Sequence, residues 1–170
     1  VPNPTPPTVY VPTTAGTGSE VGHWTIVTDS DTRVKEEIGD PFLLADLALV
    51  DPELTASAPA PVKAATGMDV LTHAVEAYVS INAQSPMSAL ALDSIEKVGA
   101  NLPRAVGYRG GDREALTAMA RASMQAGLAF NGAGLGAVHA VSHQIGATFG
   151  IPHGLVNAIV LPYVMEYNLP

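Results

Sequence analysis

The segment GLGAVHAVSHQIGATFGIPHGLVN, residues 134–157, is the part of the chain around which the rest is organised. It places three of the five histidines in an apolar, glycine-rich stretch that contains no Asp, Glu, Lys or Arg. His139 and His143 are four residues apart, so they lie on the same face of a helix. His153 follows Pro152, where a new helix is expected to begin. The segment therefore predicts two helices that carry imidazoles.

A second segment, GMDVLTHAVEAYVS (residues 67–80), repeats the four-residue spacing with Asp69 and His73. Two helices that each offer a pair of ligand-type side chains from one face can close a metal site between them. Nitrogen and oxygen ligands without a thiolate suit Fe(II) or Zn(II). The predicted ligands, one carboxylate and three imidazoles, are Asp69, His73, His139 and His153.

The alternative is that each of these histidines is an ordinary core residue or helix cap. For one isolated histidine that interpretation is the better one. Four of the five histidines, however, fall in two apolar helical segments of low charge. Burying that many imidazoles without partners costs too much free energy, so the pattern favours a metal site.

Two features beside the predicted ligands each allow two interpretations. Glu76 lies three residues beyond His73, where it either accepts a hydrogen bond from a metal-ligating residue or is part of a solvated face. The small residues near His139 leave a helix face open, either to a flat cofactor or to a neighbouring helix. These residues are Gly132, Gly134, Gly136, Ala137 and Ala140.

The composition excludes several classes of function. With 47% hydrophobic and 14% charged residues among 170, the chain is a well-buried globular protein. A formal charge of −8 with only eight Lys and Arg argues against binding to nucleic acids and to anionic membrane surfaces. The absence of cysteine excludes disulfides and thiolate metal sites, and it fits a cytoplasmic location. The chain lacks an initiator Met and begins as if within a sheet, so we expect an internal fragment of a longer protein.

The pattern of apolar residues changes at about residue 55. Before it, apolar runs predict strands at residues 8–11, 24–28 and 43–50. From Pro59 onward the period is helical, and Asp112 is a plausible N-cap after a loop at residues 108–112. Helices are predicted at residues 62–79, from Ser85 to about Val98 with an end at residues 101–103, at 113–130, within 134–150, and at 154–164. We place the domain boundary within residues 51–60.

Two sites in the first part of the chain are candidates for ligand contacts. The stretch Thr13–Glu20 combines small hydroxyl residues with two glycines, so its backbone N–H groups can face a ligand. An ordinary turn explains the same composition. Lys35 can pair with a phosphate or ribose, although most lysines are solvated surface charges.

Three motifs carry a resemblance to a known family. They are PTTAGTGSEV (residues 12–21), LVDPEL followed by KAATGMDVLTHAVEAYVS (within residues 49–80), and GLGAVHAVSHQIGATFGIPHGLVNAIVLPYVMEYN (residues 134–168). Through them the chain resembles the iron-containing (group III) alcohol dehydrogenases over nearly its whole length. The last two motifs are long and specific, and the first is weaker taken alone.

The resemblance implies an α/β part followed by an all-α part, with dehydroquinate synthase-like architecture. Residues 1–55 would be the tail of a Rossmann-like nucleotide-binding domain, and residues 56–170 the first part of a helical metal-binding domain. Asp69, His73, His139 and His153 become metal ligands, and His143 lies beside nicotinamide and substrate. The resemblance assigns cofactor contacts to Thr13, Thr14, Gly16, Thr17, Lys35 and Leu54.

The implied function is a metal-dependent alcohol dehydrogenase that transfers a hydride between a primary alcohol or aldehyde and NAD or NADP. Its metal would be Fe(II), or Zn(II) as in some relatives, and the expected assembly is a homo-oligomer. One alternative is a dehydroquinate synthase-like or glycerol dehydrogenase-like metalloenzyme. Another is a metal-binding fragment that is catalytically incomplete, because the family's glycine-rich pyrophosphate loop would lie upstream of Val1.

Overall fold

Short strands come first and five helices follow in the computed structural model, which describes residues 6–32, 34–107 and 112–169. Strand β1 (Val9–Tyr10) pairs in parallel with β4 (Leu47–Ala48). Strand β2 (Trp24–Thr28) pairs antiparallel with β3 (Lys35–Gly39). Short 3-10 helices span Ser19–Val21, Pro41–Leu43 and Pro52–Thr55.

The strand predictions are confirmed in part. The strand predicted at residues 24–28 is present with the same bounds, whereas those predicted at 8–11 and 43–50 are only two residues long. Strand β3 was not predicted, because KEEIG lacks the apolar alternation that signals a strand. Its register is set by the pairing of Trp24 with Gly39 and of Thr28 with Lys35.

The helices confirm the predicted order of an α/β part followed by an all-α part. They are α1 (Ala60–Val79), α2 (Ser85–Gly107), α3 (Arg113–Ala133), α4 (Ala137–Phe149) and α5 (His153–Tyr167). As predicted, Asp112 caps α3: its carboxylate accepts the backbone N–H groups of Glu114 and Ala115 at 3.0 and 3.3 Å. Of the loop predicted at residues 108–112, residues 108–111 lie outside the described part of the chain.

The end predicted for α2 at residues 101–103 is wrong. The helix continues through Pro103 to Gly107, although proline removes one backbone hydrogen bond. Packing explains the continuation. Leu102 fills the space above Gly67 of α1, where an added Cβ would lie 2.2 Å from Leu102 Cδ1. Ala105, two residues past Pro103, is buried in the core.

The helical core is built mainly from small side chains. Its largest cluster joins Val70 of α1, Val98 of α2 and Met119 of α3 with several buried alanines. Helix α5 approaches α1 even more closely, since a Cβ on Gly154 would lie 2.0 Å from the carbonyl oxygen of Ala65. Such close approach requires a residue without a Cβ, that is glycine, at the contact. It brings the start of α5 directly against the middle of α1.

The glycines of the Thr13–Glu20 loop pack against this helical core. A Cβ on Gly16 would lie 2.7 Å from Thr66 Cβ of α1. Gly18 adopts φ 61°, a left-handed conformation, and a Cβ there would lie 2.7 Å from Gly127 Cα of α3. Both glycines are therefore required by the contact between the first part of the chain and the helices.

No helix among the described residues combines the length and the apolar character needed to span a lipid bilayer. The division of the chain at residues 55 and 56 into two domains stays a prediction.

The contact between the loop and α3 can be tested with Gly127→Ala. Its new Cβ would meet Gly18 O at 2.9 Å and Val21 Cγ2 at 2.8 Å, so we expect a loss of about 1–3 kcal/mol in the free energy of unfolding. The matched control is Gly99→Ala on the exposed face of α2, where nothing lies within 4 Å. That change should stabilise the protein by about 0.4–1 kcal/mol. Urea denaturation measures both, and equal effects would contradict the close packing.

Candidate metal centre

Helix α1 presents three ionisable side chains on one buried face. Asp69, His73 and Glu76 follow one another at spacings of four and three residues, so they form one row along the helix. All three are at most 5% exposed. A helix that buries two carboxylates and an imidazole requires partners for them, and these come from α4 and α5.

Helices α4 and α5 begin beside this row. Gly134, with φ 81°, follows the end of α3, and Gly136 is the N-cap of α4, which places His139 in its first turn. Gly150, with φ 66°, ends α4, and after Pro152 helix α5 starts at His153. These turns point the two helix starts at the middle of α1.

The four predicted ligands come together around one carboxylate oxygen. Asp69 Oδ1 lies 3.7 Å from His73 Nε2, 3.6 Å from His139 Nε2 and 3.5 Å from His153 Nε2. The ligand atoms of Asp69, His73 and His139 all lie within 4.8 Å of one another. Ligand atoms of one tetrahedral ion with bonds near 2.1 Å stand about 3.4 Å apart. The separations are too long for strong hydrogen bonds and fit a shared divalent cation.

The alternative that Glu76 belongs to a solvated face is excluded by its burial. Its Oε2 lies 2.5 Å from His139 Nδ1, and its Oε1 accepts the backbone N–H of Val138 at 2.7 Å. Gly136 makes room for it, since a Cβ there would lie 2.9 Å from Glu76 Oε1. The carboxylate thereby fixes the imidazole of His139 with Nε2 directed towards Asp69.

The protonation states differ among the imidazoles. Burial lowers the pKa of His73 and of His153 to about 4, so both rings are neutral near pH 7 and have a free lone pair. Burial also opposes a charge on His139, but the neighbouring Asp69 and Glu76 carboxylates outweigh it and raise its pKa to about 9. Despite its burial, the surrounding imidazoles hold the pKa of Asp69 well below its usual range. The site thus offers one carboxylate and two neutral imidazoles without any proton transfer.

His143 lies beside the cluster and has a different set of contacts. Its ring centroid is 5.0 Å from that of His153 and 5.7 Å from that of His139. Its Nδ1 lies 3.0 Å from Glu37 Oε1 of β3. Partial burial is the main cause that lowers the pKa of His143. His143 thus lies next to the four predicted ligands and not among them, and the separate role expected for it stays a prediction.

The residues predicted to contact a cofactor do not all lie near this cluster. Lys35 does: its Nζ lies 3.9 Å from the position of a Cβ on Gly146 of α4, and its charge lowers the pKa of both His143 and His153. Gly16 packs on α1, Thr14 lines a small cavity with Thr55 and Lys63, and Leu54 is 43% exposed. Thr13 and Thr17 are exposed.

Two residues at the site were missed by the sequence analysis. Asn157 contacts three of the predicted ligands. The sequence feature that could have revealed it is its spacing of four residues from His153 on the same helix. Glu37 pairs with His143, but no local pattern connects a residue of β3 to a residue of α4. Only the packing of these two elements brings the pair together.

Comparison with known proteins places the chain in a family. Residues 63–170 match the C-terminal part of the Fe-containing alcohol dehydrogenase family, and residues 1–52 match iron-containing alcohol dehydrogenase. The chain belongs to the iron-containing alcohol dehydrogenase family. This membership favours the dehydrogenase interpretation over the dehydroquinate synthase-like alternative.

Individual relatives agree with the family assignment. The chain is 48% identical over 167 residues to a 1,3-propanediol dehydrogenase from Citrobacter freundii, covering 98% of this chain and 43% of that protein. It superposes with a TM-score of 0.95 and 47% identity on a crystal structure of 1,3-propanediol oxidoreductase, covering 99% and 44%. Sulfoacetaldehyde reductase from Bifidobacterium kashiwanohense in complex with NAD+ gives a TM-score of 0.91 and 38% identity, covering 95% and 43%. The chain spans less than half the length of each.

The role of Glu76 can be tested by metal affinity. Glu76→Ala removes the acceptor of His139 Nδ1 and leaves the Val138 N–H unpaired, so the affinity for Co²⁺ should fall by about 10- to 100-fold. Glu76→Gln keeps one acceptor oxygen and should lose less. Competition with a chromophoric chelator measures the affinity. The control is Glu96→Ala on the exposed face of α2, which should bind Co²⁺ like the wild type; equal affinity in Glu76→Ala would contradict the role.

Metal binding should depend on pH through His139. Between pH 6 and 8 its imidazole is protonated in the metal-free protein, whereas His73 and His153 are already neutral. A cation bound through His139 Nε2 displaces one proton, so affinity should rise about tenfold per pH unit over this range. Co²⁺ titrations at pH 6, 7 and 8 measure the slope. A flat profile would show that His139 is neutral before binding.

Proposed function

We propose that the whole protein is a metal-dependent alcohol dehydrogenase that transfers a hydride between a primary alcohol or aldehyde and a nicotinamide cofactor. The observation that supports this most directly is the buried cluster of Asp69, His73, His139 and His153 around one carboxylate oxygen. The names of its relatives, which include propanediol, propanol and methanol dehydrogenases, support an alcohol as substrate.

The donor set fits Fe(II) or Zn(II), with the four clustered side chains as ligands. At this site a bound divalent ion would supply Lewis-acid chemistry towards an alcohol hydroxyl or an aldehyde carbonyl. The protein contributes the arrangement of the ligands. Asp69 supplies the negative charge, and Glu76 keeps the imidazole of His139 in one orientation.

His143 is proposed to carry the proton of the reaction. Its pKa is lowered by partial burial, so near pH 7 the ring is neutral and can accept a proton. Its Nδ1 faces Glu37, whose side chain is 51% exposed, which offers a route from the cluster to solvent. The hydride itself would be carried by the nicotinamide ring of the cofactor and not by a side chain of the protein.

The proposed cofactor is NAD, with NADP as the alternative. The complex of a structural relative with NAD+ and the name of an NAD-dependent methanol dehydrogenase support NAD. Lys35 is the best placed of the predicted contacts, because its charge acts on His143 and His153. The roles of Thr13, Thr14, Gly16, Thr17 and Leu54 rest on the resemblance to the family.

The remaining expectations about the whole protein also stand as proposals. We propose a small alcohol or aldehyde as its partner molecule, assembly as a homo-oligomer, and no binding to nucleic acids or membranes. A cytoplasmic location stays a prediction from the cysteine-free composition.

The division of roles between His139 and His143 gives the test of this function. In the whole protein, His139→Ala should abolish binding of the metal and with it NAD-linked alcohol oxidation. His143→Ala should keep metal content near the wild-type level and lower turnover by about 10²- to 10⁴-fold. Elemental analysis and steady-state rates with a panel of primary alcohols measure both. A fully loaded, active His139→Ala protein would refute the ligand set, and loss of metal in His143→Ala would refute the separate role of His143.

A further inference from the structure

Asn157 places a buried amide side chain among the predicted metal ligands. It lies on α5 one turn after His153, and it is fully buried. Because it is buried within the helix, neither contact with solvent nor capping of α5 requires an amide at this position. The reason for an amide at position 157 must therefore lie in its contacts.

The amide nitrogen of Asn157 touches three helices at once. Nδ2 lies 2.7 Å from Asp69 Oδ1 of α1, and it lies 3.3 Å from His139 Nε2 of α4 and 3.2 Å from His153 Nε2 of its own helix. An ionised carboxylate only accepts hydrogen bonds, so the nitrogen and not the oxygen of the amide faces Asp69. The same Asp69 oxygen is the atom around which the imidazoles gather.

The other end of the amide argues against a packing role. Asn157 Oδ1 is buried and has no hydrogen-bond partner among the described residues. An unpaired buried acceptor costs about 1–3 kcal/mol, and an apolar side chain would avoid that cost. Packing alone therefore favours an apolar residue at this position. Unlike an apolar residue, asparagine donates a hydrogen bond to Asp69.

We propose that Asn157 is a positioning residue for the metal ligands, which holds Asp69 Oδ1 at its spacing from His139 and His153. The proposal rests on the metal site of the proposed function and adds to it a residue outside the four ligands. Because the hydrogen bond joins α5 to α1, it also fixes the start of α5, where His153 lies. Loss of the donor should leave Asp69 free to turn within the cluster and should weaken binding of the cation.

The test compares Asn157→Leu, which keeps the branched shape of the side chain, and Asn157→Ala with a matched control. The control is Thr72→Val on α1, which is equally buried and whose hydroxyl donates to the backbone oxygen of Met68 and not to a ligand side chain. Made in the whole protein, the two Asn157 variants should bind Co²⁺ about tenfold or more weakly than the wild type. Their Co²⁺ absorption bands should also change in position or intensity, since these report the arrangement of the ligands. Thr72→Val should lose stability without changing either readout.

The outcomes separate this proposal from the metal site on which it rests. If wild type binds Co²⁺ no better than His139→Ala, the metal site itself is wrong. If wild type binds but both Asn157 variants match its affinity and spectrum, only the positioning role is overturned. If a variant folds only with added Co²⁺, its affinity is compared with that of the wild type through the Co²⁺ concentration at which each protein refolds. Failure of both to fold at saturating Co²⁺ would assign Asn157 to the core and overturn the proposal.

Discussion

A single buried carboxylate oxygen organises the second half of this protein. Asp69 Oδ1 is approached by three imidazole nitrogens and by the amide of Asn157, at distances of 2.7 to 3.7 Å. A charge in that position is stable only if partners surround it. His73 of α1 is one of those partners, and helices α4 and α5 provide the other three. The same contacts therefore place α4 and α5 on α1 and assemble the site.

The backbone makes this arrangement possible through small residues. Glycine at 154 lets α5 approach a carbonyl of α1, and glycine at 136 leaves room for Glu76 at the start of α4. Larger side chains at either position would hold the helices too far apart for the imidazoles to meet. Glu76 then connects α1 to the first turn of α4 through two hydrogen bonds, one from the backbone of Val138 and one with the imidazole of His139.

The glycine-rich loop near the start of the chain has a structural role of its own. Gly16 and Gly18 are packed against α1 and α3, so these glycines are needed for the contact whether or not a cofactor binds. Strand β3 makes a second contact with the helices, since it carries Lys35 and Glu37 to α4. Both contacts connect the strand-rich part of the chain to the helices that hold the cluster.

The sequence by itself determined the kind of element in which each of the four predicted ligands lies. The four-residue spacing of Asp69 with His73, and the position of His153 after Pro152, follow from helix periodicity and capping, which are local properties. Tertiary structure decided the rest. The continuation of α2 through Pro103, the burial of Glu76 and the contacts of Asn157 and Glu37 depend on residues distant in sequence. No local pattern records such contacts, because they exist only once the helices have packed.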